Sequence, residues 1–114
     1  MTSSQKVFVA ELEDKPEFQR LLAGEPQTFG MKSGKVHLEP GKDCGRHSTK
    51  GNEELLVFLS GNGELIIDEN EKYEVGLGRI SYIPPHTEHN VNNSGSEPLV
   101  YIYCVAPAKD NMEK

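Results

Sequence analysis

From Lys35 onward, the chain consists of short runs of apolar, β-branched and aromatic residues separated by clusters of Gly, Pro, Asn and Asp. Such runs, bounded by turn-forming residues, predict β-strands. The runs cover residues 35–38, 54–60, 64–68, 73–75, 79–83, 89–92 and 99–105. Several short strands at this spacing favour a β-sandwich or barrel. With 114 residues, the chain is long enough for one hydrophobic core and too short for two.

The N-terminal region has a different pattern, which predicts one short helix over residues 14–24. Asp14 is a capping residue, Pro16 falls in the first turn, and Gly24 stands where a helix would end. Apolar side chains recur between them at helical spacing. The sequence therefore predicts one domain in three parts: a strand and helix segment over 1–34, a barrel over 35–107 on which it packs, and a flexible tail over 108–114.

Two stretches of the β-rich region carry polar residues at fixed spacing: Gly41-x5-His47-x-Thr49-x4-Glu54-x6-Gly61 and Gly78-x5-Pro84-x-His86-x2-His89-x3-Asn93. They resemble the two signature motifs of the cupin family, G-x5-H-x-H-x3,4-E-x6-G and G-x5-P-x-G-x2-H-x3-N, at eight of ten marked positions. The departures are Thr49 in place of the second histidine and His86 in place of a glycine. The resemblance, which is to small single-domain cupins with a type-2-like barrel, implies an all-β fold. That fold is the cupin double-stranded β-helix, or jelly-roll barrel, here with the short N-terminal helix added.

Side-chain alternation along the strands predicts where these polar residues meet. If Glu54 faces the barrel interior, His47 becomes its neighbour across a turn, and His89 arrives from a second hairpin. In the family correspondence, these three residues are the first histidine, the glutamate and the last histidine of the metal site. Glu53 is the weaker candidate, because counting back from Gly61 selects Glu54 and because Glu53 has the opposite strand parity.

Two imidazoles and one carboxylate suit a divalent transition ion, that is Mn, Fe, Co, Ni, Cu or Zn. Such a set leaves up to three positions of an octahedral ion open, as in the facial triad of non-haem iron oxygenases. Thr49 and His86 are predicted to line the pocket or to supply an extra ligand. Because ligating histidines must be neutral, metal affinity is expected to fall as the pH drops through about 6.5.

The resemblance leaves the function open between three classes. The first is a metal-dependent enzyme of oxygenase, isomerase or lyase type that acts on a small polar molecule. The second is a metal-free, non-catalytic cupin that binds a small molecule directly. The third is a structural dimer whose site is vestigial. The sequence identifies no catalytic acid, base or nucleophile.

Composition and charge restrict the partners. The net charge of −6 and the absence of a Lys or Arg cluster argue against nucleic acid. The first residues lack the pattern of a secretory signal, and no apolar run is long enough to cross a bilayer, so a cytoplasmic protein without a membrane partner is expected. The run 55–59 is apolar on both strand faces, which predicts a cover on the outer face. A homodimer, as in many cupins, would provide that cover.

Overall fold

The computed structural model describes residues 5–109, and this part of the chain forms nine β-strands. They are β1 (Gln19–Ala23), β2 (Lys32–Leu38), β3 (His47–Ser48), β4 (Asn52–Ser60), β5 (Asn62–Ile67), β6 (Glu71–Gly76), β7 (Ile80–Ile83), β8 (Glu88–Asn92) and β9 (Leu99–Pro107). One sheet has the order β1-β2-β9-β4-β7 and the other β3-β8-β5-β6. Every neighbouring pair is antiparallel. The predicted all-β, jelly-roll architecture is thereby confirmed.

The predicted N-terminal helix is wrong. Part of that segment, Gln19–Ala23, is strand β1, which pairs with the edge of β2. The Phe18 ring lies parallel to the ring of Tyr103, with centroids 6.4 Å apart. A helix of about ten residues has little stability of its own in water, whereas the free edge of β2 supplies backbone hydrogen bonds and an aromatic contact. Tertiary pairing therefore overrides the local helical pattern.

The hydrophobic core lies between the two sheets. Leu56 and Phe58 of β4 are buried in it, together with Ile83 of β7, Val91 of β8 and Leu99 of β9. These positions alternate with outward-facing residues along each strand, which is the pattern expected when one face of a strand packs inside a barrel. This alternation also directs the side chain of Glu54 inward, two residues before Leu56.

The two ends of the chain fall partly outside the described residues. Ala108, the first residue of the predicted tail, is buried and its N–H donates to the Gly51 carbonyl. The rest of the predicted tail, 110–114, lies outside the described residues, as do residues 1–4. In the described part, no helix has the length and apolarity that spanning a membrane requires.

Candidate metal centre

Three residues from separate strands bring their ligand atoms together at one end of the barrel. The short pairing of β3 with β8 places His47 directly opposite His89, and their ring centroids are 4.3 Å apart. Glu54 comes from β4 in the other sheet. One ligand atom from each residue lies within 4.8 Å of the other two. The structure therefore assembles the trio that the two motifs predict.

Backbone carbonyls orient both imidazole rings in the same way. Nδ1 of His47 lies 2.8 Å from the Gly45 carbonyl oxygen, and Nδ1 of His89 lies 3.1 Å from that of Thr87. A carbonyl oxygen can only accept, so in each ring the proton is assigned to Nδ1. In the neutral ring, Nε2 then keeps its lone pair. This tautomer is the one that a metal ligand binding through Nε2 requires.

Nε2 of His89 faces the Glu54 carboxylate, and no hydrogen-bond donor lies against its lone pair in the described part of the chain. The residue is only 1% exposed, and Nε2 lies 3.1 Å from Oε1 of Glu54. This contact lacks hydrogen-bond geometry, and Nε2 has no other partner in the described part of the chain. A lone pair against a carboxylate is unfavourable unless a proton or a metal cation lies between them. The pair therefore has the character of a cation site.

The same surroundings shift the protonation of His89. Burial alone would lower the pKa of its imidazolium, but Glu54 and the Thr87 carbonyl act in the opposite direction and together outweigh it. The net result is a raised pKa for His89. Without a metal ion, Nε2 of His89 thus takes up a proton more readily than the imidazole of a free histidine does. With a metal ion present, the proton competes for the same atom.

Thr49 stands where the cupin motif has its second histidine, and its hydroxyl is occupied by the neighbouring turn. Oγ1 donates to the Pro84 carbonyl at 2.7 Å and accepts the Thr87 N–H at 3.1 Å. The Thr49 N–H also donates to the Thr87 carbonyl, the group that orients His89. Thr49 is buried at the cavity wall, where its contacts fix the position of the turn that holds His89.

The other candidate residues lie away from the trio. His86 is exposed, has a positive φ of 58°, and is not among the residues that line the cavity. Glu53 faces outward and accepts a hydrogen bond from the Tyr82 hydroxyl at 2.8 Å. His37 pairs instead with Glu39 at 2.7 Å. Of the four histidines in the sequence, two therefore meet at the site.

The trio opens into a cavity of about 500 Å³ inside the barrel. Its aromatic wall comes from Phe18, Tyr101 and Tyr103, which the motifs do not mark. Alternation along β9 could have identified two of them, since Tyr101 and Tyr103 point to the same side of the strand as buried Leu99. Phe18 had no such signal, because its segment has a helical pattern in the sequence.

The residues present fit a divalent transition ion. Two imidazole nitrogens and a carboxylate oxygen are the donor types such ions take, and the buried Nε2 of His89 lacks any other partner in the described chain. His47 lies at the exposed mouth of the cavity, while Glu54 and His89 are buried. The site is thus closed on one side and open on the other.

Comparison with known families gives a match to the cupin domain. The family model covers residues 34–105, more than half of the chain and the region that holds all three residues of the trio. An uncharacterized protein from Methanocaldococcus jannaschii is 41% identical over 61 residues, covering 54% of this chain and 48% of that protein. A glucose-6-phosphate isomerase from Pyrococcus abyssi is 32% identical over 66 residues, covering 54% and 34%. The chain thus spans less than half the length of either relative.

Solved structures give the same fold at low sequence identity. An RmlC-like cupin family protein with a double-stranded β-helix fold, from M. jannaschii, superimposes with a TM-score of 0.75 at 18% identity, covering 95% of this chain and 97% of that one. A protein from Bacillus halodurans gives 0.76 at 24% identity, covering 91% and 83%. A predicted oxalate decarboxylase from Thermotoga maritima gives 0.67 at 14% identity, covering 88% and 100%. At these identities, the likeness concerns the fold.

Proposed function

Because the chain belongs to the cupin family, we propose that it binds a divalent transition-metal ion through His47, Glu54 and His89 and acts on a small molecule at that ion. The observation that carries the proposal is the buried Nε2 of His89, which lies 3.1 Å from a carboxylate oxygen without a hydrogen bond. A cation shared with Glu54 and the second imidazole would resolve this contact. The metal can be Mn, Fe, Co, Ni, Cu or Zn, all of which accept this donor set.

The chemistry we propose is of the oxygenase, isomerase or lyase type. When bound, a divalent ion supplies Lewis acidity or, for a redox-active metal, dioxygen activation. The residues of this chain contribute position and shielding: the Gly45 and Thr87 carbonyls hold the imidazoles in one tautomer, and the aromatic wall excludes water. The relative named as an isomerase and the structural neighbour named as a predicted decarboxylase support this range of reactions.

A metal-free binding protein is the alternative, and one observation favours it. The raised pKa of His89 means that a proton can also occupy the contact with Glu54. In that case the cavity would bind a small molecule by hydrogen bonds from the site residues, and the protein would not catalyse a metal-dependent reaction.

Elemental analysis of protein purified without a chelator or a histidine tag separates the two proposals. We expect near-stoichiometric metal in the wild type and its loss in His47→Ala and His89→Ala. His86→Ala and His37→Ala are the matched controls, since they remove histidines outside the trio and should keep the metal. Wild-type protein that remains metal-free after reconstitution with each of the six ions would refute metal binding and favour the alternative.

We also propose that a second copy of the chain covers the outer face of β4 and β7. Leu55, Ile80 and Tyr82 are 38%, 69% and 60% exposed there. Leu55 lies opposite Tyr82 and Val57 opposite Ile80, so the apolar side chains form one continuous surface. A twofold axis would bring this surface against its own copy, which is the usual arrangement of a homodimer.

Light scattering after size exclusion tests the dimer. We expect Ile80→Lys to convert a dimer into a monomer, because a buried lysine would lack a partner. Leu77→Lys is the control, since Leu77 is 70% exposed but lies outside the β4–β7 face. A monomeric wild type would refute the proposal. We further propose that the protein acts in the cytoplasm and has no nucleic-acid or membrane partner; its net charge of −6 supports the absence of such partners.

A further inference from the structure

The wall of the metal-site cavity is mostly apolar and carries a single acidic side chain. Its apolar part consists of Phe18, Val36, Cys44, Leu56, Val91, Tyr101, Tyr103 and Val105. Its polar part consists of His47, Ser48, Thr49, Asn52, Glu54 and His89. Within the described part of the chain, no Lys or Arg lines this cavity.

We propose that the cavity takes a mainly apolar small molecule that is uncharged in solution and has one or two oxygen donors at one end, rather than the small polar molecule expected from the sequence. This inference rests on the metal site proposed above and names the substrate class for it. The cavity volume of about 500 Å³ falls within the range of about 300–1,000 Å³ that is usual for small-molecule sites.

The charge balance of the site favours a neutral ligand over a dianion. A divalent ion beside the Glu54 carboxylate would carry one net positive charge. A dianion such as oxalate or a sugar phosphate would turn this into one net negative charge, against a wall without a cation. Uncompensated charge in a partly closed apolar site is costly, because the ligand gives up its hydration. A molecule that is uncharged in solution gives up much less hydration and packs its apolar body against the wall. If its enol or phenol oxygen releases one proton to the solvent on binding to the ion, the net charge of the site becomes zero.

The phenols in the wall act as neutral groups. Tyr101 is almost fully buried, and its pKa is raised above the ordinary value, first by burial and then by neighbouring Cys44. The phenol therefore stays protonated at neutral pH. Together with the rings of Phe18 and Tyr103, it presents a surface suited to an aromatic or aliphatic ligand body.

Two arginines lie near this end of the barrel, outside the cavity wall. Arg46 is held on the surface, with Nε 2.6 Å from Oε1 of Glu88. Arg20 on β1 is exposed and acts on Tyr103, whose pKa is nevertheless raised because burial outweighs the arginine. Solvent screens a charge in that position. Arg46 is already paired with Glu88, so Arg20 is the arginine of the two that could attract an anionic ligand. The experiments therefore include an Arg20 variant.

Isothermal titration calorimetry on metal-loaded protein tests the proposal with four probes. The neutral probes are 2,4-pentanedione and catechol, and the dianionic probes are oxalate and glucose 6-phosphate. We expect each neutral probe to bind at least about tenfold more tightly than either dianion, equivalent to about 1.4 kcal/mol. Elemental analysis after each titration verifies that the protein, and not the probe, holds the metal.

A charge placed on the wall should reverse this preference. Val105→Lys introduces a cation on the inner face of β9, and Val36→Lys does so on β2 if the first variant folds poorly. Either should weaken binding of the neutral probes and tighten binding of the dianions. Val100→Lys is the matched control, because it places the same charge on the outer side of β9, away from the cavity, and should leave all four affinities unchanged.

Two results would overturn the substrate class while leaving the metal site intact. One is tighter binding of a dianion by wild-type protein, above all if Arg20→Gln abolishes it. The other is a metal-loaded protein to which neither neutral probe binds. Failure of the proposed function itself gives a different result, namely wild-type protein without metal in the elemental analysis.

Discussion

At the scale of single residues, a proton and a metal ion compete for one atom, Nε2 of His89. Nδ1 of His89 is committed to the Thr87 carbonyl, so both cations must bind at Nε2, against Glu54. Because the pKa of His89 is raised, protons compete with the metal above the ordinary histidine value of about 6.5. Metal affinity should therefore begin to fall at a higher pH than the sequence alone predicts.

The metal-free protein gives a direct test of this shift. A group whose pKa is raised on folding adds stability that is complete below its unfolded pKa, about 6.5, and is lost as the pH rises through the folded value. We expect the free energy of unfolding to fall over that window in the wild type and to fall less in His89→Gln. Urea unfolding in a chelating buffer between about pH 6 and pH 8.5 measures both. Identical pH profiles would contradict the prediction.

Thr49 provides a second prediction at this scale. Thr49→Val removes the hydroxyl that binds Pro84 and Thr87, so it should cost about 1–3 kcal/mol of stability. It should also weaken metal binding, because the displaced Thr87 carbonyl no longer orients His89. Thr49→Ser keeps the hydroxyl and should stay close to the wild type in both properties. A Val variant with unchanged metal affinity would rule out the positioning role, and competition with a colorimetric chelator measures that affinity.

The two motifs correctly predict that His47, Glu54 and His89 lie together. Strand alternation accounts for the inward direction of Glu54, whereas the arrival of His89 from a distant strand was implied by the family resemblance. The role of Thr49 could not be predicted in this way. Its hydroxyl partners lie 35 and 38 residues further along the chain, and their approach depends on how the two sheets meet. The same is true of Phe18, which reaches the cavity only because β1 pairs with β2.

At the scale of elements, Asn93 joins the end of β8 to two other segments. Its Nδ2 donates to the carbonyls of Leu38 and Glu97, at 2.8 and 2.9 Å, and its Oδ1 accepts the N–H of Gly95 at 2.9 Å. The side chain is buried, so removing it leaves those groups without their partner. Asn93, the last residue of the second motif, therefore has a structural role at this turn.

Asn93→Ala should therefore destabilise the protein by about 2–4 kcal/mol, because three hydrogen bonds are lost in a buried environment. Asn92→Ala, at the adjacent and partly exposed position, is the control and should cost less than about 1 kcal/mol. Urea unfolding monitored by circular dichroism measures the difference. Equal losses in the two variants would mean that the three bonds contribute little.

The strands differ in how well sequence predicts them. Those after residue 50 follow clear apolar runs between turn residues, and each predicted run corresponds to a strand. β1 and β3 were missed for different reasons. β1 carries a helical pattern that the edge of β2 overrides, and β3 is only the two residues His47–Ser48, too short to leave a periodic signal. Both missed strands matter to the site, since β3 carries His47, a proposed metal ligand, and β1 begins directly after Phe18, which lines the cavity.

At the scale of the whole molecule, the candidate metal centre bridges the two sheets. His47 and His89 belong to the four-stranded sheet, whereas Glu54 belongs to the five-stranded one. An ion held by all three residues would bind the folded protein and not the unfolded chain, in which these residues are far apart. Metal binding should therefore be coupled to the stability of the entire barrel.

Addition of the bound metal to chelator-treated protein should raise its melting temperature. At a free metal concentration of about 100 times Kd, the expected stabilisation is about 2.7 kcal/mol, which corresponds to roughly 10–20 °C for a domain of this size. Glu54→Gln should lose most of this increase, because it removes the negatively charged ligand that the five-stranded sheet would supply to the ion. Glu53→Gln is the matched control, one residue away and outward-facing, and should keep the full increase. An equal increase in both variants would place the ion outside the trio, since only Glu54 contributes a carboxylate there.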